Sequence, residues 1–391
     1  MTGISNFQFP ISNWLKVRAW KFARGLAAVC FGLLPAQASH AQLAGKGVAA
    51  RAAAPVERVD AACQKAVQFI ISNQDATGAI SDPDKRQAYS NPMTALSLMA
   101  LAAIGNLPTD ATREGDAMRR AIQFLVRPSG AGDPQWRGYL GGDDASRMYG
   151  HGIATLALTE MLGMGVDKNQ DRLIREKCQR AIDLTLRSQR VRKYDARFIG
   201  GWRYTPDSPD ADLSVSVWHL MALRSAKNAG LLVPKESIDL AVVYLRRSYE
   251  SPRDASGRAT DLKSGFAYTP GHGPTFAMVA AGLLAMQVCG QYELPEVAGS
   301  ANWLRDYRLT YGDRWFFYGI YYYAQAMHKR GGEFADLARR TTEGILLPKQ
   351  AADGSWLADD GQERGCGRVY SSALAVLSLS VKFHFLPIYQ D

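Results

Sequence analysis

Cysteine is scarce in this chain, and no apolar run is long enough to cross a membrane. Five cysteines occur in 391 residues, too few for the disulfide framework on which small secreted domains depend. A chain of this length can bury a large core without such cross-links. The apolar segment 25–34 has ten residues, whereas a helix needs about 20 to span a bilayer. The sequence therefore disfavours both a disulfide scaffold and a transmembrane anchor.

Acidic residues are absent from the first 56 positions. Four Lys and Arg residues between positions 16 and 24 precede the apolar segment, and small-residue sites follow it at 36–41. This order of basic, apolar and small residues is typical of a cleaved export signal. We predict a signal peptide over residues 1–41, a flexible linker rich in Ala and Gly over 42–58, and a periplasmic or secreted protein.

The net charge is modest once the export signal is set aside. The formal charge of +9 includes the four basic residues of that segment, so the rest of the chain carries about +5. A mildly basic balance of this size gives no case for binding to nucleic acid or to an anionic membrane surface. We expect no nucleic-acid partner and no membrane span.

An internal repeat with a period of 55 to 60 residues organises the remaining chain. Similar segments place an alanine at positions 66, 121, 181 and 241, each followed by apolar residues at helical spacing, and weaker copies occur near 301 and 345. Repeats of this length are typical of folds that stack one supersecondary unit many times. Six copies are predicted.

Each copy contains a second helical segment that is nearly free of charge. The segments 92–104, 275–288 and 371–381 contain no Asp, Glu, Lys or Arg, whereas the first segments keep a charged face. A helix that is apolar on every side is buried on every side. We therefore predict an all-α fold over residues 59–391. It is a single α/α toroid of about six helix pairs, with an apolar inner ring and an amphipathic outer ring.

The loops that join the paired segments resemble those of a known family. Gln350, Gly354 and Trp356 are spaced as in the QW motif of squalene cyclases and protein prenyltransferases, and the Gly-Gly-Trp at 200–202 is similar to a repeat of that superfamily. The segment 385–390 is similar to the ends of exported bacterial prenyltransferase or squalene-oxidase repeat proteins. The resemblance implies a toroid and, as its partner, a hydrophobic, isoprenoid-like small molecule or lipid. It implies function less firmly, because one scaffold hosts unrelated sites.

Asp210 and Asp212 are the sharpest candidate for a catalytic site. With Leu213 and Ser214 they resemble the D-x-D-D-[ST] element of class II terpene cyclases, although Leu213 replaces the last aspartate. The resemblance implies Asp212 as the proton donor and Asp210 as a supporting carboxylate. Paired carboxyl groups in a dry cavity do not both ionise readily, so one stays protonated. The simpler alternative is that both residues cap the helix that begins at Ser214.

Residues just before each inner helix are expected to converge at one end of the ring, because the loops after the outer helices all reach that end. Such a convergence is the default position of a pocket. Aromatic faces there suit a carbocation or a neutral isoprenoid, although packing is their commoner role. The predicted ligand-binding residues are His151, Trp202, Tyr204, His272, Trp315, Tyr318, Tyr322 and Tyr370.

His151 and His272 both lie in Gly-His-Gly sequences at similar places in two repeats. With Asp212 and Cys366 they could in principle hold zinc. The Asp-x-Cys pair of the protein prenyltransferases, which place zinc near this end, is absent here. We therefore predict no metal and no cofactor. Each histidine either forms buried hydrogen bonds or serves as a partner that tunes Asp212.

Three functions stay open at this point. The first is an exported isoprenoid-binding toroid with cyclase-like acid chemistry at Asp212. The second is a non-catalytic interaction module of the cell envelope, similar to toroids of the complement thioester class. Cys366 lies between two glycines as in a thioester loop, but Arg368 and Val369 replace the expected Glu-Gln, so no thioester is predicted. The third is a secreted carbohydrate-active toroid.

Overall fold

The computed structural model describes residues 55–128, 134–383 and 385–389. From Val59 to Asp391 the chain forms one compact unit. The predicted signal peptide lies outside the described residues, as does most of the predicted linker. None of the described helices is long and apolar enough to cross a membrane.

The described chain is helical, and it contains isolated β-bridges but no named strand. Inner and outer helices alternate along it. Short turns lead from each inner helix to the next outer helix, and mostly longer loops lead from an outer helix to the following inner one. In chain order the helices are α1 (Pro55–Ser72), α2 (Arg86–Ala103), α3 (Arg113–Val126), α4 (Arg147–Glu160), α5 (Lys168–Gln189), α6 (Leu213–Asn228), α7 (Lys235–Ser248), α8 (Phe276–Val288), α9 (Pro295–Asp306), α10 (Phe316–Arg330), α11 (Gly332–Leu346), α12 (Gly361–Arg364) and α13 (Arg368–Leu379).

Six of these helices form a closed inner ring. Helices α2, α4, α6, α8, α10 and α13 each pack on the next, and α13 packs back on α2. All residues of α8 are buried, whereas the outer helix α11 buries only Ala338, Thr342 and Leu346. The predicted α/α toroid of six helix pairs, with an apolar inner ring and an amphipathic outer ring, is confirmed.

Helix α13 begins at Arg368, before the charge-free segment 371–381. The reason is that the first turn of this inner helix lies at the end of the ring, where the side chain of Arg368 reaches solvent. Helix α10 begins at Phe316, and Trp315 directly before it has a left-handed backbone with φ of 56°.

A glutamine in three of the repeats joins neighbouring outer helices in the same way. Its side-chain amide donates one hydrogen bond to a glycine carbonyl of its own loop and another to a carbonyl of the next outer helix. The third of these bonds closes the ring, since it joins the last repeat to α1. The pairs are Gln74 with Gly78 and Ala117, Gln189 with Gly200 and Ser237, and Gln350 with Gly354 and Ala62, at distances of 2.8–3.0 Å.

The glycine of this loop also touches the next outer helix directly. Gly200 has a φ of +101°, and a Cβ atom added there would lie 2.2 Å from the carbonyl oxygen of Leu240 in α7. Gly354 has the same relation to Lys65 in α1, at 2.5 Å. Only glycine combines this backbone conformation with so close an approach. The glycine of the QW-like loop therefore sets the spacing of the outer ring.

Replacing Gly200 with alanine should destabilise the protein. The new methyl group meets the α7 backbone and the positive φ becomes strained, so we expect the free energy of unfolding to fall by about 1–3 kcal/mol. Urea unfolding followed by circular dichroism measures the change. Gly344→Ala is the matched control, because nothing lies within 4 Å of its added Cβ and alanine favours a helix. Equal stabilities for the two variants would contradict this account of the loop.

Candidate functional site

The end of the ring at which the inner helices begin is here called the mouth. In five of the six inner helices, a free N–H group of the first turn donates to an acceptor in the loop of the following repeat. Two acceptors are backbone carbonyls and three are carboxylates. The pairs are Asn91 with Asp144 (2.9 Å), Met148 with Tyr204 (3.1 Å), Leu213 with Tyr268 (2.8 Å), Phe317 with Glu363 (2.9 Å) and Val369 with Asp82 (2.9 Å).

Asp212 is fully buried and is the N-cap residue of α6. Its Oδ1 atom accepts hydrogen bonds from the backbone N–H of Val215 at 3.0 Å and from the hydroxyl of Ser214 at 2.6 Å. Its Oδ2 atom is buried without a hydrogen-bond partner. One oxygen therefore does the capping that the simpler alternative expected, and the other stays available.

Burial raises the pKa of Asp212 from 3.8 to about 6. The hydrogen bonds from Ser214 and Val215 and the charge of Arg203 oppose this rise. The guanidinium Nε of Arg203 lies 4.0 Å from Oδ2, too far for a hydrogen bond. Burial thus favours the protonated form of this carboxyl in mild acid.

Asp210 lies at the surface of the mouth and is paired with Arg203. The guanidinium Nε is 3.3 Å from Asp210 Oδ2, and the guanidinium carbon lies 5.1 Å from the ring centre of Tyr204 and 5.7 Å from that of Tyr268. The ammonium of Lys193 donates to the backbone carbonyl of Asp210 at 3.0 Å. Asp210 therefore positions Arg203 and is not itself a helix cap.

Three further tyrosine contacts surround the Asp212 carboxyl. The hydroxyl of Tyr149 is hydrogen-bonded to the hydroxyl of Ser214, and Tyr318 donates its hydroxyl to the carbonyl of Ser214 at 2.7 Å. The hydroxyls of Tyr204 and Tyr268 are hydrogen-bonded to each other. Tyr149, Tyr204 and Tyr268 are half-buried, so they form the part of the mouth that a ligand would meet first.

Glu363 is a second buried carboxyl at the mouth, and the sequence analysis missed it. Its side chain accepts hydrogen bonds from the N–H groups of Phe317 and Tyr318 and from the hydroxyl of Tyr370 at 3.2 Å. Burial raises its pKa from 4.5 to about 7. The signal available in the sequence was the acid at the end of a short Asp-Gly-Gln-Glu segment just before α13, but only the fold shows that it reaches α10.

The aromatic residues of α10 fill the centre of the ring. Trp218 of α6 stacks on Tyr321 with ring centres 5.7 Å apart and also contacts Tyr318 and Tyr322. Since α6 and α10 are not neighbours in the ring, these side chains meet across its centre. Tyr318 and Tyr322, predicted to line a cavity, belong to this buried cluster. Trp315 is half-buried at its edge.

His151 and Trp202 have structural partners. His151 is fully buried, accepts the N–H of Leu140 on Nδ1 at 3.2 Å and places Nε2 3.1 Å from the hydroxyl of Thr185 in α5. In the next repeat Ser216 occupies the position that corresponds to His151, and its hydroxyl accepts the backbone N–H of Trp202. Burial lowers the pKa of His151 to about 3. His151 therefore stays neutral and faces the outer ring.

His272 is exposed, and its Nδ1 atom lies 2.8 Å from the hydroxyl of Thr269. The predicted meeting of His151, His272 and Asp212 at the mouth does not occur, because one histidine points outward from α4 and the other lies at the surface. Among the residues that the structure describes, no three His, Cys, Asp or Glu side chains could hold a metal ion together. The four described cysteines are all free thiols.

The solved structures similar to this chain include members of two classes of enzyme. An inactive variant of the α-1,6-mannanase GH76A of Salegentibacter sp. HEL1_6, in complex with α-1,6-mannotetrose, has a TM-score of 0.57 at 11% identity and covers 84% of this chain and 99% of that chain. A variant of the type II terpene cyclase MstE from Scytonema, in complex with geranylgeranyl dihydroxybenzoate, has a TM-score of 0.50 at 16% identity and covers 85% and 99%.

At these identities the likeness establishes the fold, an α/α toroid, and nothing about activity. No protein-family model matches the chain, and no curated protein matches its sequence.

The Asp212→Asn variant should show the cost of ionising this carboxyl. A raised pKa means that the folded state holds its proton more tightly than the unfolded state, so wild-type stability falls as pH rises from about 4 to about 6 and levels off above. Asparagine keeps the cap but does not titrate. We expect the wild type to lose about 3 kcal/mol relative to the variant across this window, measured by chemical unfolding at each pH. Parallel pH profiles would contradict the assignment.

Proposed function

We propose that this protein is exported and binds an isoprenoid-like small molecule at the mouth, where Asp212 donates a proton to it. The observation that carries the proposal is that the two oxygen atoms of the Asp212 carboxyl have different surroundings. Oδ1 is fixed by Ser214 and the α6 backbone, while Oδ2 is buried without a hydrogen-bond partner. Burial raises the pKa of this carboxyl to about 6. A buried polar atom without a partner is costly, and such costs concentrate at functional sites.

The proposed step is protonation of a carbon–carbon double bond or an epoxide. The proton leaves Oδ2 and forms a C–H or O–H bond, which leaves a carbocation on the ligand and a carboxylate on Asp212. Arg203 and the N–H of Val215 stabilise that carboxylate, and the faces of nearby tyrosines stabilise the cation. When the cation loses a proton, the carboxyl is restored. Because Oδ2 is covered in this structure, the tyrosine rim and Arg203 must move to admit the ligand.

We also propose membership of the squalene-cyclase-like superfamily. Support comes from the QW-like loops, whose glutamine makes the same two hydrogen bonds in three repeats, and from the position of Asp212 at the start of α6. Leu213 in place of the last aspartate and the filled centre of the ring are departures from that family's pattern. They favour a small ligand, or the end of a long one, held at the mouth.

A carbohydrate-active function is the second candidate. The rim offers the two groups that sugar sites commonly use, a half-buried carboxylate at Asp210 and the faces of Tyr204 and Tyr268. The mannanase of Salegentibacter supports it, since the inactive variant that binds mannotetrose carries replacements of two adjacent aspartates. In this chain Asp210 and Asp212 are separated by one residue and differ in burial, as an acid and a base for glycoside hydrolysis would.

The proposed function is tested with the purified protein at pH 6. It is incubated with squalene, oxidosqualene and polyprenyl alcohols, and separately with α-1,6-manno-oligosaccharides, and the products are analysed by mass spectrometry. We expect a cyclised or isomerised isoprenoid product, and a loss of at least about 100-fold in Asp212→Asn, as when a general acid is removed. Glu160→Gln is the matched control, because Glu160 is equally buried at the opposite end of α4.

Each remaining outcome assigns the site differently. Cleavage of manno-oligosaccharides that depends on Asp212 or Asp210 would replace the proposal with the second candidate. Equal isoprenoid product from wild type and Asp212→Asn would overturn acid catalysis. If no substrate reacts and native mass spectrometry finds no bound lipid, the envelope interaction module becomes the better explanation.

A further inference from the structure

The C-terminal segment closes the end of the ring opposite the mouth. Residues 385–389, called the C-terminal segment below, lie against the ends of α2 and α4 and also contact α6 and α10. The ring of Phe385 packs at Gly105, which follows α2. The hydroxyl of Tyr389 is hydrogen-bonded to that of Tyr321 in α10. Leu386, Ile388 and Tyr389 are buried, so the segment fills the opening.

The segment is held by a carboxyl that has no counter-ion. Glu160, the last residue of α4, accepts the backbone N–H of Ile388 on Oε2 at 3.0 Å and the hydroxyl of Ser225 in α6 on Oε1. It is 1% exposed. The titratable groups that face it are the hydroxyls of Tyr321 and Tyr389, both neutral, and no cation contributes to its environment.

Two physical effects disfavour the ionised form of Glu160 in this position. Burial removes water from the carboxylate, and the C-terminal end of α4 carries the negative end of the helix dipole. Burial raises the pKa of Glu160 from 4.5 to about 7. If the C-terminal segment departs, the Glu160 carboxyl is exposed to water. Its pKa then returns to the ordinary value of 4.5, and the carboxyl ionises readily at neutral pH.

We propose that the C-terminal segment is a removable plug for this end of the ring and that the charge on Glu160 controls its docking. With Glu160 neutral, the carboxyl, Ser225 and Ile388 form a satisfied buried cluster and the plug stays in place. With Glu160 ionised, the same contacts hold an uncompensated buried charge and the plug is released. The end of the ring away from Asp212 is then open to solvent.

The direction of the pH dependence follows from proton linkage. The undocked form has the lower pKa, so docking takes up a proton between about pH 4.5 and 7 and weakens as pH rises through that window. Below it both forms are protonated and docking is strongest. Above it both are ionised and docking is weakest. The plug is therefore docked in acid and released as the pH approaches neutrality.

Hydrogen exchange with mass spectrometry of the full-length protein tests this proposal. Exchange of the C-terminal peptide is followed from pH 5 to pH 8 and corrected for the intrinsic pH dependence of amide exchange. In the wild type, protection should fall by at least about tenfold across this range. In Glu160→Gln, which is neutral at every pH and similar in shape, protection should stay level.

Two further variants distinguish pH-dependent release of the C-terminal segment from a general weakening of its packing. Tyr389→Phe removes the contact with Tyr321, so it should lower protection at every pH and keep the pH dependence. Glu363→Gln removes another buried carboxyl with a raised pKa, at the mouth, and should behave as the wild type. A wild-type protection that does not change with pH, or a Glu160→Gln profile equal to that of the wild type, overturns the proposal.

Discussion

The inner helices of this toroid begin with backbone N–H groups that have no partner within the helix, and in five of the six the following repeat supplies an acceptor. This constraint is what makes the structure a ring instead of a row of hairpins. Without the acceptors of the neighbouring repeat, these groups would be buried in the ring without partners, at a cost comparable to a lost hydrogen bond for each. The last repeat takes its acceptor from the first: Asp82 receives the N–H groups of Arg368 and Val369, and the circle closes.

The same constraint gathers carboxyl groups at one end of the molecule. Four of the acids at the mouth, Asp82, Asp144, Asp212 and Glu363, are present because helix N-termini favour negative charge and need acceptors. Three of them use both oxygens on polar neighbours. Asp212 uses one. A capping role and a chemical role are therefore compatible in a single residue, and the unpartnered oxygen distinguishes Asp212 from the others.

The two ends of the ring differ in how their buried acids are neutralised. At the mouth, Arg203 and several N–H groups surround the carboxyls, so a charge formed there is stabilised. At the other end, Glu160 meets only a hydroxyl, one N–H and the negative end of a helix dipole. Ionisation at the mouth places the charge near Arg203 or N–H donors, whereas ionisation of Glu160 disfavours the contact that holds the C-terminal segment. One fold in this way places the proposed site and the proposed plug at opposite ends of the ring.

The sequence by itself determined the architecture, because the repeat spacing and the charge-free helices admit no arrangement other than one ring inside another. It also located Asp212, since a carboxyl directly before a buried helix stands out locally. It did not determine which residues the candidate side chains contact within the fold. His151 was grouped with His272 by a shared Gly-His-Gly pattern, yet helix rotation turns it outward to Thr185, and its role matches that of Ser216 in the next repeat. Tyr318 and Tyr322 were expected at an open cavity, yet Trp218 meets them across the ring. Glu363 has only a weak local signal, the acidic segment before α13, and Glu160 has none. Their roles depend on contacts between residues 45 and 228 positions apart, and only the closure of the ring brings such residues together.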